Sequence, residues 1–364
     1  MRLPAAFVGL PVVLGLLAAL AAPLAAFANG AVSVALNHPA MMARAANSGL
    51  FTSIARPGDH LVAVGELGRI VVSDDNGQSW HQVPTPTRVT LTAVRFATPN
   101  EGWAVGQMGL VLHTTDGGST WLKQLDGLRA NQLLLAAAQA DMTAQGSNAT
   151  TTANLQAAQQ FVGGGPTVPF LAISALSRES VTLAGGYGMA FVSTDGGANW
   201  HSIFDEIPNP NGLHIYSLVP DKNVTFVVGE QGMLLRYEGG QYTALSTPFQ
   251  GTFFGGLITP AESVIIYGLQ GTVLRSTDQG KSWSQPQSGS DVGIDCGLVL
   301  QDGRILLGDV GGHLLLSHDD GKSFVTIDEP EPVVALAQAP DKSIIIGGPQ
   351  GLYRLPLATL NTGN

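Results

Sequence analysis

One frame returns seven times along this chain: an apolar run, then Gly-x-x-Gly, then a second apolar run. The copies begin at Gly65, Gly106, Gly185, Gly229, Gly268, Gly308 and Gly348, so consecutive starts lie 41, 79, 44, 39, 40 and 40 residues apart. A strand-rich repeat of this length specifies radial repetition. Each unit is a small sheet that cannot bury both faces alone, and stacking the units around an axis supplies the missing partners. The second copy shows the unit: 91–96 reads as the innermost strand, 102–105 as the next, 110–113 as the third and 121–124 as the outermost. These runs are short, apolar or β-branched, and bounded by Gly, Asp, Asn and Pro, as strands joined by tight turns should be. The expected fold is all-β, a seven-bladed β-propeller.

A second signature marks the turn between the third and fourth strands. It reads Ser73-Asp74-Asp75-Asn76-Gly77-Gln78-Ser79-Trp80 in the first copy. The same S/T-x-D-x-G-x-S/T-W pattern carries Asp116 and Trp121, Asp195 and Trp200, Asp278 and Trp283, and Asp319 and Phe324. This is the Asp-box, or BNR, motif. Its chemistry is local: the carboxylate accepts turn N–H groups, the Gly permits positive φ, and the aromatic packs between sheets. The fourth copy has lost the box, showing Tyr237-Glu238-Gly239-Gly240 instead, and the seventh stops after its third strand. The apolar segment 31–36 has no repeat of its own and is expected to be a strand that completes the seventh blade and closes the ring.

The 79-residue spacing holds extra chain at 128–165. Leu, Ala and Gln dominate 131–144 and recur at 154–161, with Gly146-Ser147-Asn148 between them and Gly163-Gly164-Gly165-Pro166 after them. This composition favours a helical hairpin projecting between blades two and three. An Ala/Gln/Thr linker without fixed structure is the alternative.

The N-terminus reads as a secretory signal. Arg2 supplies the positive region, 5–20 is apolar, and Ala26-Phe27-Ala28 is a cleavage site, so residues 1–28 are expected to leave a mature chain that begins at Asn29. The expected location is periplasmic or secreted, with no membrane span after cleavage. The net charge of −10 and only 17 Lys and Arg argue against nucleic acid, which needs clustered cations. One cysteine, Cys296, excludes an intrachain disulfide and reads as a small core hydrophobe.

No cofactor or metal is expected. The eight His show no ligand spacing, and the acidic turns at Asp74-Asp75-Asn76 and Asp319-Asp320 lack the later Glu of a calcium loop. Asp-boxes also occur in sialidases, whose chemistry needs an arginine clamp on the substrate carboxylate, a Tyr/Glu nucleophile pair and an acid/base Asp. Arg236 and Arg275 fall on third strands beside the boxes, toward the periphery, and so do not form such a clamp. The expectation is therefore no catalytic residues and a binding surface. Candidate binding residues inside the Gly-x-x-Gly turns include Glu66, Met108, Tyr187, Glu230 and Asp309, with the amides Gln107, Gln231 and Gln270 beside them. Phe249, Phe253 and Phe254, where blades four and five join, read either as core or as exposed interface anchors.

The boxes, the repeat length, the signal segment, Pro248-Phe249-Gln250-Gly251-Thr252-Phe253-Phe254-Gly255, Val64-Gly65-Glu66-Leu67-Gly68 and Trp103-Ala104-Val105-Gly106 together resemble one family. It is the photosystem II stability/assembly factor-like (YCF48/HCF136-like) group of BNR-repeat proteins, in its bacterial branch. The resemblance covers nearly the whole mature chain. It implies a seven-bladed propeller that chaperones assembly of a membrane protein complex by binding one subunit. In phototrophs that subunit belongs to the photosystem II reaction centre, and the binding surface is an arginine-rich patch. The 11 arginines after residue 28 are scattered here. For relatives outside photosynthesis the resemblance implies an accessory role beside RND-type envelope transporters. The functional expectation is a non-enzymatic, exported assembly or stability scaffold whose partner is a membrane protein complex subunit or transporter. The alternative is a sialidase-like glycoside hydrolase or glycan-binding propeller.

Overall fold

Each repeat folds into its own antiparallel meander. The computed structural model describes residues 34–329 and 331–361. Among them are seven sheets in chain order, five of four strands and two of three. Their innermost strands are Phe51–Ala55, Leu91–Phe96, Phe170–Ala175, Ile215–Asp221, Phe253–Ile258, Ile294–Val299 and Ala335–Gln338. The second strands are almost wholly buried, Leu61–Gly65 and Gly102–Gly106 throughout, because neighbouring sheets cover both of their faces. In the fifth sheet the outer strand shrinks to one bridge, Arg275 with Ser284.

Side-chain alternation directs each sheet toward two neighbours. Val62, Val64 and Ile70 of the first sheet pack against Val94, Ala104 and Leu112 of the second. On its other face, Ile54, Ala63 and Val71 pack against Ala337, Ile345 and Leu352 of the seventh. The first sheet therefore meets the last, and the arrangement is propeller-like. Threonine hydroxyls add cross-links at the inner strands: Thr52 Oγ1 donates to the Leu91 carbonyl at 2.7 Å, and Thr92 Oγ1 to that of Phe170 at 2.6 Å.

The segment expected to close the ring does something else. Residues 31–33 lie outside the described residues, and 34–37 form a helical turn. Leu36 is buried between the first and second sheets, and the Ala35 carbonyl accepts the Arg88 N–H at 2.8 Å. The turn buries Leu36 while Val34 and Asn37 stay exposed, and the His38 N–H closes it on the Val34 carbonyl at 3.1 Å. The last sheet instead receives main chain from just before the first strand. Ser48 bridges Gly351, and the Leu352 N–H donates to the Asn47 carbonyl at 2.8 Å.

The five boxes share one geometry. Asp75 accepts from the Ser79 N–H at 2.8 Å, the Ser79 hydroxyl at 2.6 Å and the Ser73 hydroxyl at 2.9 Å. Asp116, Asp195, Asp278 and Asp319 repeat these bonds. The Ser79 hydroxyl and N–H hold the Asp75 carboxyl down at about 2, and Ser282 does the same for Asp278. The Asn199 N–H and side-chain amide bring Asp195 to about 2. At Asp319 burial works upward, yet Ser323 still brings the group to about 2. Trp121 and Trp200 are buried between sheets, whereas Trp80, Trp283 and Phe324 are half-buried. The fourth sheet, without a box, turns instead on Gly239 and Gly240, whose positive φ values of 59° and 84° suit a two-residue hairpin.

Between the second and third sheets stand two helices, α1 (Gly127–Gln145) and α2 (Ala149–Gly164). Asp126 caps α1, and Asn148 caps α2 in a reciprocal box with Thr151. Asn131 in α1 donates its side-chain amide to the carbonyls of Phe161 and Gly165, satisfying the end of α2. Ala130, Leu134, Ala138 and Ala158 seat the pair on the core of the second and third sheets. The base is tight: a methyl group on Gly109 would lie 2.7 Å from the Gly127 Cα.

Candidate functional site

Of the Gly-x-x-Gly turns, the one that holds Tyr187 faces α2, its ring 6.4 Å from that of Phe161. In the first turn, a side chain on Gly65 would strike the Leu50 carbonyl at 2.0 Å, so the leading Gly lets two backbones touch. The middle residue turns outward in the left-handed region: Leu67, Met108, Tyr187, Gln231 and Gln270 have φ between 52° and 57°. Non-Gly residues rarely adopt this conformation. Leu67 and Tyr187 are more than half exposed, and Met108 is half-buried.

The acidic members of these turns face inward. Glu66 accepts the Leu50 N–H at 3.2 Å, and Glu230 accepts the His214 N–H at 2.7 Å and its ring Nδ1 at 2.8 Å. Burial works upward on Glu230, but the His214 contacts hold its carboxyl below the ordinary value. Both carboxylates tie down the start of an inner strand. Asp309 is not on the binding surface at all. It is fully buried, accepting from the Ser290 hydroxyl at 2.6 Å and from the N–H groups of Gly311 and His313 at 2.9 and 2.8 Å. Here the turn needs an acceptor, and burial requires that it be satisfied.

The three phenylalanines divide. Phe253 is core, fully buried with Phe226, Leu234 and Ile266, so it cannot anchor a partner. Phe249 packs on it at 5.6 Å and is half-buried. Phe254, on the alternate side of the strand, meets the Tyr216 ring edge-on at 5.4 Å.

Phe254 ends an aromatic row. Centroid distances are 6.4 Å from Phe161 to Tyr187, 4.7 Å from Tyr187 to His214, 6.4 Å from His214 to Tyr216 and 5.4 Å from Tyr216 to Phe254. The row joins α2 to the inner strands of the fourth and fifth sheets. At its α2 end lies a groove of about 820 Å³ between that helix and residues 203–212. Phe161, Tyr187, Phe204, Ile207 and Pro208 supply apolar walls, and Asp205 is the single charged lining residue. Asn209 shapes the wall, bonding both the N–H and the carbonyl of Leu213 at 2.9 Å.

Of these residues, the sequence reading placed only Tyr187 and Phe254 on a binding surface. It missed Phe161, Phe204, Asp205, His214 and Tyr216. The 44-residue spacing from Gly185 to Gly229, longer than the 39, 40 and 40 that follow it, was the available signal for the 203–212 wall. Arg236 pairs with Glu238 at 2.6 Å and Arg275 pairs with Asp320. Each is held by its own acidic partner, so the two do not form a carboxylate clamp. Among the described residues no cluster of three or more His, Cys, Asp or Glu could hold a metal. No described helix is long and apolar enough to cross a membrane.

The profile described as "Photosynthesis system II assembly factor YCF48" matches residues 62–157, and the BNR/Asp-box repeat profile matches 191–202. The chain is a YCF48-like BNR-repeat protein. This YCF48-like chain is 53% identical over 47 residues to the chloroplastic photosystem II stability/assembly factor HCF136 of Cyanidioschyzon merolae, 12% of this chain and 11% of that one. It is 26% identical over 147 residues to the photosystem II assembly lipoprotein Ycf48 of Synechococcus sp. CC9902, 39% of this chain and 33% of the relative. The chain thus spans about a third of that relative's length and less of the first. Among solved structures, "YCF48 bound to D1 peptide" superposes with a TM-score of 0.61 at 19% identity, covering 88% of this chain and 97% of that one. The WD40 β-propeller domain of Doa1 gives 0.61 at 10% identity over 88% and 95%. These likenesses establish an all-β, propeller-like fold.

Proposed function

We propose that this YCF48-like chain is a non-enzymatic assembly scaffold that holds a segment of a membrane protein on its Gly-x-x-Gly face. The observation that carries the proposal is the aromatic row from Phe161 to Phe254, which ends in an apolar groove on a rigid frame. Aromatic side chains bury large area at little entropic cost and dominate interface energetics. In this reading the seven sheets are seven blades of a closed ring, and α1 and α2 are an insertion that deepens one sector of its face. The chain works after export, residues 1–28 having served as a signal. The resemblance to photosystem II assembly factors, one of them solved with a D1 peptide, supports a membrane-protein partner of that kind over an RND-type transporter. The inward-held Glu66, Glu230 and Asp309, and the paired Arg236 and Arg275, argue against glycoside hydrolysis.

Photo-crosslinking tests this. A benzophenone amino acid at Tyr187 or Phe254 should capture one membrane protein in the host envelope, while the same probe at Leu122, on an outer strand, should not. Equal capture from all three positions, or hydrolysis of a fluorogenic sialoside by the purified protein, would overturn the proposal.

A further inference from the structure

The groove has a charge character as well as an apolar one. No lysine, arginine or histidine lines it, and its single charged lining residue is Asp205. Glu206 is exposed next in sequence, and Asp141 reaches the same place from α1. Burial pushes the Asp141 carboxyl up, and the neighbouring Asp205 charge pushes it further; Glu206 is raised by the same two causes in the same order. Three carboxylates therefore meet here, and among the described residues no lysine, arginine or histidine pairs with them. The exposed face of Tyr187 and the rings of Phe161 and Phe204 stand beside them, and aromatic faces attract ammonium and guanidinium groups.

We infer that the groove selects a basic segment: an extended peptide that buries an apolar side chain among Phe161, Tyr187 and Phe204 and sets a lysine or arginine against Asp205. This inference rests on the proposed scaffold function and names the chemistry of the segment held. The dimensions agree. α2 has 16 residues, about 24 Å of axis, which an extended peptide of about seven or eight residues spans. A strand of alternating apolar and basic residues presents its apolar side to the rings and its basic side to the carboxylates.

Fluorescence anisotropy with the full chain tests the inference. The probes are three labelled, end-blocked octapeptides of alternating sequence: Leu with Lys, Leu with Gln, and Leu with Glu. The Leu/Lys peptide should bind about fivefold tighter than Leu/Gln at low salt, a gap that partly screened ion pairs can supply. Leu/Glu should bind most weakly. Raising the salt, or changing Asp205→Asn, should close the Lys/Gln gap by weakening Leu/Lys more than Leu/Gln. Phe204→Ala should weaken both peptides. Equal binding of all three, a preference for Leu/Glu, or a gap indifferent to Asp205→Asn would overturn the inference. So would displacement of every peptide by a second copy of the protein at assay concentration. The scaffold function fails separately: capture of a membrane protein through Tyr187 would survive loss of the basic preference.

Discussion

The outer rim and the Gly-x-x-Gly face are both made of repeated turns, yet they treat side chains in opposite ways. On the rim, Asp75, Asp116, Asp195, Asp278 and Asp319 turn every carboxylate onto the local backbone. On the face, Glu66, Glu230 and Asp309 also look inward, but the next residue in each turn stands outward at positive φ or exposed, as Leu67, Gln231 and Val310 do. Identical copies arranged in a ring offer identical surfaces, and none is special. A site arises where copies differ, and the third and fourth sheets differ most. One is preceded by α1 and α2, the other by the 203–212 wall, and Tyr187 and Tyr216 stand between.

Trp121→Ala gives the largest expected effect on this contrast. Its indole is buried and donates to the Gly118 carbonyl at 2.9 Å. Removing it should cost about 3–5 kcal/mol in urea unfolding. A loss below about 1 kcal/mol would show that the boxes decorate the rim without holding sheets together. Asn131→Ala comes next. It leaves the carbonyls of Phe161 and Gly165 without their amide donor and should cost about 1–3 kcal/mol. Hydrogen exchange should locate that loss in α1 and α2, with the rest of the ring still protected; uniform loss would mean the helices are integral to the ring.

Acid should loosen the rim. The carboxyls of Asp75, Asp195, Asp278 and Asp319 fall from 3.8 to about 2 in the folded chain, so their contribution is full above 3.8 and is lost as pH falls toward 2. The urea midpoint should drop across that window, less steeply in Asp195→Asn. A flat profile would deny the boxes any ionic role. Tyr187→Ala should be the mildest for stability, within about 0.5 kcal/mol, because the ring is exposed.

The repeat made the architecture readable. Strand boundaries follow Gly-x-x-Gly because close backbone approach at Gly65 and its equivalents admits no side chain. The helices at Gly127–Gln145 and Ala149–Gly164 follow from Ala, Leu and Gln content ended by Gly. The site was less readable. Glu66 and Leu67 are adjacent, yet one is pinned inward and the other stands out, a choice made by an N–H that the Leu50 backbone supplies. Tyr216 and Phe204 belong to no motif, and only tertiary packing brings Tyr216 beside Phe254 and Phe204 beside Phe161. For 34–36 an apolar run suits a strand by composition, but the His38 N–H bonds the Val34 carbonyl and makes a helical turn.

The clasp between Asn47-Ser48 and Gly351-Leu352 sets an order of events. Asn47 and Leu352 are 305 positions apart, and both main-chain and side-chain bonds join them. Contacts this distant in sequence carry the largest loop-closure cost and form late. An N-terminal segment made early must wait, unpaired, until the seventh sheet exists. The ring thus behaves as a belt whose buckle is fastened last, and a chain cut short anywhere before Gly351 keeps its first and last edges open.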